Sequence, residues 1–119
     1  LSAAATALAL TGAAYAQSPG QPWNADQLSS SLVGKQIEHI RSSDGRKFVW
    51  DVRKGGTVFI KNTSLKGKWR VQPDGAFCVE WASTQVAARC YLFHGSPQDA
   101  RVSYSTAPGE VTSTAKVLD

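Results

Sequence analysis

Only two cysteines and two histidines occur in the 119 residues, and that scarcity narrows the chemistry at once. Cys78 and Cys90 are too far apart in sequence for the C-x-x-C pair of a redox centre. His39 and His94 lack the paired spacing with which histidines complete a zinc site, so neither a metal nor a cofactor is expected. No Gly-rich phosphate loop, G-x-S-x-G elbow, H-E-x-x-H run or EF-hand loop is present. Neither histidine has a Ser, Cys or carboxylate at a spacing that marks a catalytic set. Each is therefore read as a surface or edge residue rather than an acid/base group. Asp44, Asp74 and Asp99 fall at turns, where Asp supports the local backbone, and Asp51 and Glu80 alternate with core positions and should point outward. No active site is read, and the chain is not expected to be an enzyme. Long apolar runs are missing too. The Ala-rich stretch at the start is too short to span a bilayer, and nothing after it could.

Charge is absent from residues 1–16, which end in Ala14-Tyr15-Ala16, a small-x-small site ahead of Gln17. This pattern is read as a secretory signal peptide without its basic n-region. Residues 17–22 (Gln-Ser-Pro-Gly-Gln-Pro) follow as a polar tether, and 23–119 remain as one domain of about 100 residues with one core. The residue after the cleavage site is not Cys, so a soluble periplasmic or secreted product is expected, and an oxidising compartment favours joining Cys78 to Cys90. Closing a loop of that size contributes roughly 3 kcal/mol. The net charge of +4 is concentrated in residues 35–70, which hold ten Lys or Arg against three acids. Export argues against nucleic acid as a partner. The readings kept are a solvated strand face and a basic surface, with Lys47, Arg53, Lys61, Lys68 and Arg70 as candidates, drawn to the anionic cell envelope or an acidic partner.

What the sequence has in plenty is β pattern. Asn24 with Gln27 three residues on forms a capping-box signature, Leu28 and Leu32 share a helix face, and Gly34 stands at a C′ position. A short helix is predicted over 25–33, with Trp23 ahead of it to staple onto the core. Beyond residue 35, turn signals recur every 8 to 12 residues at Asp44-Gly45, Gly55-Gly56, Lys66-Gly67, Asp74-Gly75, Thr84-Gln85, Ser96-Pro97 and Pro108-Gly109. Between them apolar residues alternate, predicting eight strands near 35–41, 46–53, 57–63, 68–72, 76–82, 88–94, 101–106 and 110–117. The fold class is all-β: an antiparallel meander of about eight strands or a small lipocalin-like barrel. Trp50, Trp69, Trp81, Phe77, Tyr91 and Phe93 are expected to fill its core.

The two cysteines also suggest a register. If Cys78 opposes Cys90, then Phe77 faces Tyr91, Val79 faces Arg89 and Trp81 faces Ala87 around a connection centred on Thr84. Alternation then puts Phe77, Val79, Trp81, Tyr91 and Phe93 on the core face, and Cys78, Glu80, Cys90, Leu92 and His94 on the outer face. A longer loop, with Ala82 opposite Ala88, is the alternative, and it would make the bridge diagonal.

One stretch goes beyond generic alternation: Gly67-x-Trp69, Asp74-Gly75, Cys78-x-x-Trp81 and Cys90-Tyr91, preceded by Leu28-x3-Leu32-x-Gly34-Lys35. Over residues 25–95 this order resembles a family of small exported proteobacterial proteins classed as a domain of unknown function. The resemblance implies an exported all-β domain with a cross-strand disulfide and brings no established activity. By shape the chain is also similar to small disulfide-bonded β-barrel inhibitors of lysozyme and proteases, without their inhibitory loop motifs. Two functions are carried forward. The first is a non-enzymatic binding or interaction module with an unknown protein or small ligand as partner. The second is an inhibitor of a secreted hydrolase acting through Ser83–Val86 or Gly95–Asp99. An apolar cavity open at one barrel end would favour the small ligand.

Overall fold

The computed structural model describes residues 21–83 and 86–118. The expected signal peptide, most of the tether and the Thr84-Gln85 connection lie outside the described residues. A single helix, α1 (Ala25–Leu32), precedes eight strands: β1 (Gln36–Arg41), β2 (Lys47–Val52), β3 (Thr57–Ile60), β4 (Lys66–Val71), β5 (Phe77–Trp81), β6 (Arg89–Ser96), β7 (Asp99–Tyr104) and β8 (Val111–Leu118). Each strand pairs antiparallel with the next, and β8 returns to β1, so the sheet closes into a barrel. Closure satisfies the backbone groups that an open sheet would leave at its two edges.

The helix forms where its capping box is written. The Asn24 side chain accepts from the Gln27 backbone N–H, and the Gln27 side chain accepts from the Asn24 backbone N–H. Val33 ends the helix, and Gly34 follows at φ 79°, the left-handed conformation that suits glycine. Leu28 and Leu32 are fully buried, and the Trp23 ring stacks on Phe93 with centroids 5.4 Å apart. The Gly34 N–H donates to the Val52 carbonyl, and the Trp23 N–H donates to that of Phe93. These bonds seat the helix over the barrel end that carries the β2–β3, β4–β5 and β6–β7 turns.

The inward residues are those the alternation singled out. Phe77, Val79, Trp81, Tyr91 and Phe93 are all buried, and Trp50 is their hub, with ring centroids 5.8 Å from Trp81, 5.0 Å from Tyr91 and 6.0 Å from Phe77. Trp69 is partly buried, stacks on Phe77 at 5.6 Å and donates its indole N–H to the Arg53 carbonyl. Gly67 lies under Trp81, where a Cβ would come within 2.7 Å of the Glu80 carbonyl oxygen; the close approach of the backbone requires glycine. The disulfide joins Cys78 to Cys90 on directly opposed positions, flanked by Phe77–Tyr91 and Val79–Arg89. The longer-loop alternative is therefore excluded, and the Trp81–Ala87 pair lies beyond the end of this ladder.

Three expectations need correction. Lys66-Gly67, expected as a turn, lies inside β4, with Lys66 paired to Phe59 and Gly67 to Val58 and Trp81. β3 ends at Ile60 rather than near residue 63, because Asn62 adopts φ 64° and the Thr63 hydroxyl donates to the Ile60 carbonyl while accepting from the Leu65 N–H, turning the chain early. The histidines are not surface or edge residues. His39 is 1% exposed and His94 8%. His39 has the same parity as Ile37 on β1, so the pleat carries it inside. His94 has the opposite parity, on the outer face, and Trp23 flanks it by bonding the carbonyls of Phe93 and Gly95 on either side.

Candidate functional site

At the barrel end away from the helix, the inward positions run out of large partners and a cavity of about 1390 Å³ opens. Strand ends and turns set its mouth: β1 to β2, β3 to β4, the start of β6, and β7 to β8. Two inward rows build it. On each strand a buried inward residue is followed toward the mouth by a more exposed one: His39 then Arg41 on β1, Trp50 then Phe48 on β2, Tyr91 then Arg89 on β6 and Val102 then Tyr104 on β7, with His39 directly opposite Phe48 and Tyr91 opposite Tyr104. Trp81 contributes from β5 and Ser113 from β8.

His39 sits deep in this arrangement. Its ring lies parallel to Phe48 at 5.0 Å and tilted against Trp50 at 4.2 Å. Nδ1 is 3.4 Å from the Ser113 hydroxyl, whereas Nε2 is buried without a hydrogen-bond partner. Burial in this aromatic surround lowers its pKa from 6.5 to about 3, so the ring is neutral at ordinary pH. With Nδ1 toward Ser113, Nε2 is enclosed in the core and out of reach of solvent. Across the cavity the Trp81 indole N–H donates to the Tyr91 hydroxyl at 3.2 Å, and burial raises the Tyr91 phenol above its ordinary value. Tyr91 therefore acts here as a hydrogen-bonding neutral group.

Two arginines sit at the mouth on inward positions. Arg41 opposes Ser113 and its guanidinium carbon is 5.8 Å from the Phe48 ring centre; Arg89 opposes Val79 and lies 4.4 Å over Tyr104. Arg41 also reaches Asp44 at 3.4 Å, an exposed pair, while Arg89 forms no ion pair among the described residues. Both cations are thus held by aromatic faces at the edge of an apolar interior.

The residues singled out from sequence separate in space. Trp50, Trp81 and Tyr91 line the cavity, while Phe77, Phe93 and Trp69 pack elsewhere in the core. Of the candidate basic residues, Lys47 and Lys61 stand at the mouth. Arg53 lies beside the β2–β3 turn at the helix end and bonds Asp51 at 2.8 Å, and Lys68 and Arg70 lie outside on β4, opposite Glu80 and Cys78. The five do not form one patch. His39 lines the cavity, whereas His94 and Glu80 occupy the outer parity of β6 and β5, so the three do not meet there. Among the described residues no cluster of His, Cys, Asp or Glu could hold a metal ion, and no helix is long and apolar enough to cross a membrane. Of the two loops considered for inhibition, Ser83–Val86 includes the residues outside the description, and Gly95–Asp99 reduces to a two-residue turn at Pro97 and Gln98. The sequence reading missed Arg41 and Arg89. The signal was available in parity, because Arg89 precedes Tyr91 by two and Arg41 follows His39 by two.

No protein-family model, curated protein or solved structure matches the chain.

Proposed function

We propose that this protein is an exported, non-enzymatic binding module that holds a small ligand in the open end of its barrel. The observation that carries the reading is the cavity itself, walled by Phe48, Ile60, Leu65 and Tyr104 over a floor of Trp50, Trp81 and Tyr91. Apolar walls with a few fixed polar groups are the usual makeup of small-molecule sites. Among the described residues the helix covers one end of the barrel, and the cavity opens at the other. The periplasm is the proposed compartment, resting on residues 1–16 and the disulfide. The family resemblance drawn from the Trp, Cys and Gly pattern is retained as part of this proposal, for the fold and compartment alone.

The protein should be recovered after export, washed, denatured and extracted, and the extract analysed by mass spectrometry. A small molecule in near-stoichiometric amount is the expected result. Recovery of a partner protein with no small molecule would move the function to the outer surface.

A further inference from the structure

The charge around the cavity is one-sided. The lining residues include five cations, Arg41, Arg46, Lys47, Lys61 and Arg89, against one carboxylate, Glu38; Glu38 and Lys47 share outward parity on β1 and β2, so neither points into the barrel. Among the described residues only Arg41 of the five is ion-paired, to Asp44 at 3.4 Å with both side chains about half exposed, which leaves its charge available. Cations above low-dielectric walls focus a positive potential into the mouth and draw anions to it. Guanidinium groups also present paired donors that match a carboxylate or sulfonate.

The shape of the cavity limits the body attached to that anion. From the mouth at Arg41 to the base at His39 is two residues along β1, a rise of roughly 7 Å. The next inward residues down the same walls, Val52, Phe93 and Ala100, do not line the cavity and belong to the closed core. The space is therefore broad and shallow. A ring system fits that depth, and an extended acyl chain does not. The walls within a ligand's reach are the partly buried Phe48, Ile60, Leu65, Val86 and Tyr104, because Trp50 packs against Trp81 and Tyr91 with ring centroids 5.8 and 5.0 Å apart and leaves no gap between them.

From this geometry we infer that the barrel is selective for small planar organic anions, with the ring system against Phe48 and Tyr104 and the carboxylate or sulfonate at Arg41 and Arg89. The inference rests on the cavity being the ligand site. Naphthalene carboxylate, its neutral carboxamide and dodecanoate should be titrated into the full chain, followed by tryptophan fluorescence and calorimetry. The carboxylate should bind roughly tenfold or more tightly than the carboxamide, and more tightly than dodecanoate. Its advantage over the carboxamide should shrink in Arg41→Met and Arg89→Met, two exposed positions whose variants are checked for fold by circular dichroism, and should fall with added salt. Equal binding of carboxylate and carboxamide would overturn the anion preference, and tighter binding of dodecanoate would overturn the ring preference; either result leaves the cavity as a ligand site. Failure of all three to bind the folded wild-type chain would defeat both the selectivity and the site.

Discussion

His39 shows how one residue can be set by parity against its own chemistry. An imidazole prefers water or a partner at each nitrogen, yet β1 places it between Phe48 and Trp50 with Nε2 unsatisfied. The cost is visible as protonation linkage. Folded, the group titrates near 3 and unfolded near 6.5, so between those values the unfolded chain binds a proton that the folded chain refuses. Stability from this residue is complete above pH 6.5 and declines as the pH falls toward 3, by up to about 1.4 kcal/mol per pH unit. His39→Phe should remove that slope. Urea unfolding of both proteins between about pH 4 and pH 6 is expected to show a steeper acid loss for the wild type. Parallel curves would mean that the imidazole is hydrated or paired when folded.

The helix is the element whose reading required least from the rest of the molecule. Asn24, Gln27, Leu28, Leu32 and Gly34 each act within a few residues of themselves, through a cap, a face and a stop. Replacing Asn24 with Ala removes one half of the reciprocal cap and should cost about 1 kcal/mol, measured as a lower urea midpoint. Because α1 covers the opposite end of the barrel, binding of an aryl anion at the mouth should be unchanged in the same variant. A parallel loss of affinity would show that the helix couples to the cavity through the shared core. The strands depended more on their surroundings. Their alternation was legible, but the end of β3 was decided by the turn chemistry of Asn62 and Thr63.

For the whole molecule, the disulfide matters most at the β5–β6 seam, where the ladder runs only from Phe77–Tyr91 to Val79–Arg89. The bridge lies on the outer parity of both strands, so it holds the seam without entering the cavity. Replacing both cysteines with Ala should lower the unfolding free energy by roughly 3 kcal/mol, read from denaturant curves against the oxidised wild type. Amide exchange should rise first in β5 and β6, since freeing that short ladder opens the barrel there. Uniform exchange across all eight strands would indicate that barrel closure, not the bridge, limits local opening.

The sequence alone determined whatever depends on near neighbours. The cap and stop of α1 are local, the period of two names the core face of each strand, and opposed cysteines set the β5–β6 register, which places Phe77 against Tyr91. Tertiary structure decided what depends on residues distant in the chain. Whether β8 would meet β1 is a matter of accumulated twist and tilt around eight strands, which no single strand encodes. The burial of His39 followed from that closure. So did the cavity. Arg41 and Arg89 are charged residues at strand ends in the sequence, and only the closed barrel turns them toward one aromatic-walled mouth. Alternation tells which side a residue takes, but the space left between the sides is a property of all eight strands together.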